Sequence, residues 1–321
     1  MVPSFQRQPT LGSHSFSQPP GFMSTPHLAI TADLHWGLAK CKAGNLSLVK
    51  GLQQNPPQLL LVGGDLGADS HFGDCLDALA TIDCPVALVA GNHDIWVRQE
   101  DLRGNSWTVY DSLLPAECEK RGFHYLDHGP LLLPHLGLGI VGSMNWYDHS
   151  WATEELARRF PQEQWRLEQM CFTRGRHNDR VYVRWPEGMS NSIITSLMAA
   201  KLAEHLRVAL SNCERVILIT HHPALPELGF ARPDPETTET EGPSMDQILW
   251  EAFSGNRAVE NLVRQNAERL SLVINGHTHR WRSGFLGKAK LVNVGSDYPV
   301  KNLIRFHGLD GATQVEQYGP N

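Results

Sequence analysis

No two of the six cysteines stand at two-residue spacing, which excludes a zinc ribbon and a thioredoxin-like motif. No apolar run approaches the length needed to cross a bilayer. Positive charge is scarce as well, with 28 Lys and Arg against 34 Asp and Glu and a net charge of −6. That balance argues against a protein whose affinity comes from gripping a nucleic-acid backbone, so nucleic acid is not expected as a partner. Residues 1 to 25 hold Pro, Ser, Gln and Gly but no hydrophobic core of a signal peptide. They are expected to be a disordered extension, with Met23 just before the first strand as an alternative start. A cytoplasmic location, free thiols and no membrane partner are the matching expectations.

The 321 residues are 41% hydrophobic and 19% charged, a composition that suits one large α/β domain carrying an insertion. From His27 to Ala90 strand-like and helix-like runs alternate. The helices are expected at Gly44–Gln53 and Phe72–Thr81, and this βαβαβ order predicts parallel strands. The apolar runs Leu131–Leu133 and Leu138–Val141 are close enough to pair antiparallel. Residues of about 147–190 are rich in Trp, Arg and Glu with little β alternation, and read as an inserted, mostly helical cap. Ile194, Leu197, Met198, Leu202, Leu206 and Leu210 then follow at helical spacing. Short strands return at Lys290–Val294, Asn302–Phe306 and Thr313–Gln317. Residues 26–321 are therefore expected to form a single domain.

Five polar blocks punctuate this pattern: Asp33-Leu34-His35, Gly64-Asp65, Gly91-Asn92-His93-Asp94, His221-His222 and Gly276-His277-Thr278-His279. Each follows an apolar, strand-like run. Side chains leaving strand ends in one direction converge in space, and converging oxygen and imidazole ligands make a metal site. Asp33 and His35 stand two apart, as do His277 and His279, where extended backbone would point both side chains the same way. Counting Asp33, His35, Asp65, Asn92, His221, His277 and His279 gives seven candidate ligands. That is too many for one cation and suits two if one carboxylate bridges. His14, His128, His135 and His307 lie outside the blocks and read as ordinary solvated or structural histidines.

The ordered set resembles the signature of the calcineurin-like metallophosphoesterase superfamily, with every block present from Asp33 to His279. The resemblance implies a four-layer α-β-β-α sandwich of two mixed sheets. It also implies one metal held by Asp33, His35 and His279, the other by Asn92, His221 and His277, and Asp65 bridging them. His93 would be the catalytic histidine beside the substrate phosphate. Two transition-metal ions, divalent or trivalent (Mn, Fe or Zn), would clamp the phosphoryl oxygens of a small phosphomonoester or phosphodiester, nucleotides included, while a metal-bound hydroxide attacks. The histidine following His221, His222, is expected beside the metals or the substrate, as are Asp94, Trp36 and Arg180. Trp96 and Trp146 are further aromatic residues near these loops that could stack on a base.

Protein Ser/Thr phosphatases of this superfamily carry an aspartate three residues after the bridging one, followed by an arginine. Gly64-Asp65-Leu66-Gly67-Ala68-Asp69 has neither at those places, so a phosphoprotein substrate is not expected. In the cap Arg174, Arg176, Arg180 and Arg184 crowd one stretch, and any of them could grip a distal phosphate. Two other functions are compatible with such a fold, a nuclease and a non-catalytic scaffold. The intact ligand set and His93 favour an enzyme.

Overall fold

The computed structural model describes residues 27–68, 70–230, 242–308 and 313–320. The expected N-terminal extension, residues 1–25, lies outside the described residues. Strands β1 (His27–Thr31), β2 (Leu59–Gly63) and β3 (Val86–Val89) alternate with helices Lys42–Gln54 and Phe72–Leu79. They pair in parallel, as the βαβαβ pattern predicts. Strand β4 (His124–Tyr125) extends the sheet beside β3. On the other side β11 (Lys301–His307) pairs antiparallel with β1, and β12 (Thr313–Tyr318) pairs antiparallel with β11.

The second sheet also has six strands. In spatial order they are β5 (Leu131–Leu133), β6 (Leu138–Ser143), β7 (Arg215–Thr220), β8 (Leu270–Asn275), β10 (Ala289–Asn293) and β9 (Arg282–Leu286). Strands β6, β7, β8 and β10 are parallel; the edge strands β5 and β9 are antiparallel to their neighbours. Both sheets are thus mixed. The apolar runs at 131–133 and 138–141 form the expected hairpin. Strand β9 escapes sequence reading because its polar ends and Gly284 give it no apolar run.

Strand alternation builds the layers. Leu28, Ile30, Leu59, Leu61, Ala87 and Val89 of the first sheet face Ile140, Ile217, Ile219, Leu272 and Ile274 of the second. Intervening residues Ala29, Leu60, Val62 and Leu88 point outward onto Leu48, Leu52, Leu76 and Leu79 of the two helices. On the far face Val141, Leu218 and Val273 meet Leu202 and Leu206 of helix Asn191–Asn212, and Val259 and Val263 of helix Arg257–Asn266. Because period-2 side chains serve two interfaces at once, the central strands are buried throughout and read as continuous apolar runs. Ser190 caps the long helix by accepting from the Ile193 N–H. Its buried stripe includes Ile194, Met198, Leu202 and Leu206, whereas Leu197 is exposed.

Between 147 and 190 the regular elements are short helices at Thr153–Arg159, Pro161–Glu163, Trp165–Gln169 and Asp179–Tyr182. The insertion is helical in small pieces rather than a helical bundle. Its rigidity comes from side chains: the Phe172 and His177 rings pack on Phe253, at 5.6 and 5.3 Å between centroids. No helix among the described residues is long and apolar enough to cross a membrane. The six cysteines are free thiols.

Candidate metal centre

The loops leaving β1, β2, β3, β7 and β8 meet at one edge of the sandwich. Their backbones are laced together: Asp33 N–H donates to Gly64 O at 3.0 Å, His35 N–H to Asp65 O at 2.8 Å, and Gly276 N–H to His221 O at 3.2 Å. Side chains add cross-links, with His277 N–H donating to Asp33 Oδ1 and His93 N–H to Asp65 Oδ1, both at 2.9 Å. Glycine is required where loops touch. A Cβ on Gly91 would collide with the backbone N and carboxylate of Asp65, and one on Gly64, at φ +87°, would meet the His221 ring at 2.5 Å.

Convergence is not achieved by extended backbone. Asp33, His35, Asp65, His277 and His279 have φ of 57°, 45°, 52°, 68° and 55°, the left-handed region that non-glycine residues rarely enter. Each such residue costs about 1–3 kcal/mol and persists only where its surroundings fix it. Five of the seven candidate ligands therefore sit in strained turns, which aim alternate side chains at one point where a strand would have run past it.

All seven come together, in two groups. Donor atoms of Asp33, His35, Asp65 and His279 lie within 4.8 Å of one another, and so do those of His221, His222 and His277. In the first, His35 Nε2 faces His279 Nε2 at 3.2 Å and Asp65 Oδ2 at 3.6 Å. In the second, His221 Nε2 faces Asn92 Oδ1 at 3.0 Å and Asp65 Oδ1 at 3.4 Å. The two oxygens of the Asp65 carboxylate thus turn toward different groups.

This donor set fits a pair of cations. Asp33 Oδ2, His222 Nε2 and His277 Nε2 are buried without a hydrogen-bond partner, although buried polar atoms are nearly always satisfied. Burial, and then the neighbouring imidazoles, push His35 and His277 well below the ordinary histidine range, and His222 down to about 3. Burial, and then the carboxylates of Asp94 and Asp33, push Asp65 well above the carboxylate range. Neutral imidazoles beside an anion that resists being an anion are what a bound cation needs and relieves. Oxygen and imidazole donors without thiolate suit Mn, Fe or Zn.

His222 occupies a position equivalent to that of His221. Its Nδ1 lies 3.1 Å from Met144 O, leaving Nε2 free and aimed at His221 and His277. Proximity therefore includes it among the candidate ligands, rather than merely beside them. His93 is only partly exposed. Its ring stacks on Trp96 at 3.6 Å between centroids, its Nε2 lies 4.0 Å from Asp65 Oδ2, and burial pushes it down to about 3.

The four accessory positions divide. Asp94 is a tie between loops: its carboxylate accepts from Leu66 N–H at 3.2 Å and from Gly67 and Gly91 N–H at 2.8 Å. Trp36 is half-buried and packs against the core cluster. Arg180 lines a separate cavity together with Trp146, Asp148, His149 and Glu168 and is not among the residues lining the metal-side cleft. Of the four cap arginines, Arg176 lines that cleft. Trp146 is fully buried and donates to Asn191 Oδ1.

Sequence reading missed Asp179. This buried cap carboxylate accepts from Asn92 Nδ2 at 2.8 Å and Trp96 Nε1 at 2.7 Å through one oxygen, and from the Tyr147 hydroxyl at 2.8 Å through the other. It orients Asn92 so that Oδ1 faces His221. Burial alone would raise it, but His177 and the donors from Asn92 and Trp96 hold it below the usual carboxylate range. The one available signal was that Asp179 is the lone acid in an arginine-rich stretch.

A family model described as calcineurin-like phosphoesterase matches residues 26–281. No curated protein matches the chain. Among solved structures, a phosphopantetheinyl hydrolase from Mycobacterium tuberculosis is similar over 84% of this chain and 89% of its own, at 19% identity and a TM-score of 0.62. A dimetal phosphatase from Danio rerio is similar over 93% of this chain and 97% of its own, at 15% identity and a TM-score of 0.52. At these identities the likeness is one of fold.

Proposed function

This chain belongs to the calcineurin-like phosphoesterase family and is a metal-dependent phosphoester hydrolase, and from that premise we propose a two-cation site built by its own seven ligands. Asp33, His35 and His279 would hold one ion, and Asn92, His221 and His277 the other, with Asp65 shared. His222, whose free Nε2 points the same way, is a further donor to the second group. The observation that carries this reading is the Asp65 carboxylate, with one oxygen 3.4 Å from His221 Nε2 and the other 3.6 Å from His35 Nε2.

A pair of cations held there would supply Lewis acidity toward the phosphoryl oxygens and a nucleophile near neutral pH. The chain's residues do the rest. Asp94 and Asp33 hold the loops in register, so the donors are in place before substrate arrives. Asp179 fixes the Asn92 amide. His93 lines the cleft, where the N–H of its ring can donate to a phosphoryl oxygen as charge develops there. Trp96, stacked beneath it and tied to Asp179, limits the ring's orientation. The substrate is a small phosphate ester.

The test is turnover of p-nitrophenyl phosphate and of bis-p-nitrophenyl phosphate by metal-stripped protein, with Mn, Fe, Zn or Co added back singly. At least one metal should restore hydrolysis of one ester, with about two ions bound per chain. Metal-loaded protein inert against both would sink the enzymatic reading and favour a scaffold.

A further inference from the structure

We propose that the cleft beside the metal centre selects a phosphate ester whose organic part carries a flat ring and a second anionic group. This inference rests on the two-metal phosphoesterase reading and adds the substrate class to it.

The cleft has a volume of about 590 Å³, within the roughly 300–1,000 Å³ typical of small-molecule sites and far more than a phosphate alone would fill. One wall is aromatic and comes from three separate parts of the chain. Phe172 of the cap lies 4.5 Å from Trp250 of helix Met245–Ala252, and Trp250 lies 5.0 Å from Phe230, between ring centroids. This wall starts at the metal centre, since Phe230 is 6.5 Å from the His277 ring. Trp250 is 38% exposed, so the wall offers ring surface to a ligand instead of closing on itself. Tyr298 also lines the cleft, its ring 4.7 Å from that of His279. Aromatic walls of this kind bind flat rings by stacking, whatever the ring's hydrogen-bonding pattern.

Charge supplies the second half. Arg176 and Arg280 both line the cleft and are exposed, and neither forms an ion pair with a carboxylate among the described residues. Arg280 adjoins His279, and Arg176 adjoins His177, whose ring is 5.7 Å from Trp250. Two guanidinium groups without a carboxylate partner among the described residues, set beside one lining carboxylate, Asp297, give the rim of this cleft an excess of positive charge on a protein whose net charge is −6. Guanidinium binds phosphate or carboxylate through paired N–H donors.

The experiment compares three esters on metal-loaded protein: adenosine 3′,5′-bisphosphate with ring and second anion, adenosine 5′-monophosphate with ring alone, and glycerol 3-phosphate with neither. In the unaltered protein kcat/KM should fall in that order. Trp250→Ala should lower the ratio of kcat/KM for adenosine monophosphate over glycerol phosphate about tenfold, while Trp250→Phe, which keeps a ring, should retain it. Arg176→Ala should lower the ratio of bisphosphate over monophosphate. Equal kcat/KM for all three esters, or ratios unmoved by Trp250→Ala, would overturn the assignment while leaving the phosphoesterase reading intact. Hydrolysis of none of these and of neither nitrophenyl ester would overturn the reading beneath it.

Discussion

At the scale of single residues, the site is organised by carboxylates that do different work at similar burial. Asp65 faces both donor groups, Asp94 holds backbone, and Asp179 holds side chains. Asp179→Ala would leave the Asn92 amide, the Trp96 indole and the Tyr147 hydroxyl buried without an acceptor, each at about 1–3 kcal/mol. Losing such an outer partner of a metal ligand typically costs about 10–100-fold in metal affinity or activity. Elemental analysis of Asp179→Ala should therefore find metal lost at limiting concentrations and regained at high metal. His93→Ala gives the contrasting result, full metal content with kcat lower by about 10²–10⁴-fold. Undiminished kcat would remove His93 from the chemistry.

At the scale of elements, strand ends deliver the ligands and the loops between sheets fix them. Asp94 lies in the middle of the short 3-10 turn His93–Ile95, and its carboxylate reaches back to Gly91 while crossing to Leu66 and Gly67 after β2. One side chain thus sets the spacing of the two loops that present Asp65, Asn92 and His93. Asp94→Ala should cost about 3 kcal/mol or more, since three buried N–H groups lose their acceptor. Urea denaturation of the metal-free protein measures this without interference from bound ions, and a loss below about 1 kcal/mol would show that the loops are held by other means. The cap contributes at this scale too: it supplies Asp179 from behind Asn92 and Phe172 and Arg176 from above.

At the scale of the whole molecule, folding concentrates neutral histidine. Burial depresses His35, His93, His221, His222 and His277, so in metal-free protein all five stay uncharged when folded and take up protons when unfolded. Their contribution to stability is full above the unfolded-state value of about 6.5 and is lost as the pH falls toward the folded-state values, about 3 for His93 and His222. Asp65, Asp94 and Asp127, all raised by burial and Asp94 to about 7, act in the opposite direction, but three groups oppose five. The urea midpoint of metal-free protein should therefore be lower at pH 5.5 than at pH 7.5. Added metal should raise the midpoint at pH 7.5, with a stability gain of about 2.7 kcal/mol per bound ion at a hundredfold excess over Kd. A midpoint that rises on acidification would show that the carboxylates dominate.

Much of this was legible along the chain. Strand and helix order followed from apolar runs, because strands buried on both faces carry no polar alternation to obscure them. The five polar blocks could be read because metal-binding chemistry restricts residue type and strand ends restrict place. What the one-dimensional pattern could not carry is the left-handed turn at Asp33, His35, Asp65, His277 and His279. Backbone strain leaves no compositional mark when the residue is not glycine. Nor could it show what separates His221 from His222, since both hold Nδ1 against a backbone carbonyl and only the fold decides what each Nε2 faces. Asp179, Arg176 and the Phe172–Trp250–Phe230 wall were decided by folding alone. Asp179 stands 87 residues from Asn92 in sequence, and the packing of Phe172 and His177 of the cap onto Phe253 is a contact that no local pattern announces. The sequence by itself determined the chemistry; tertiary packing decided what surrounds it.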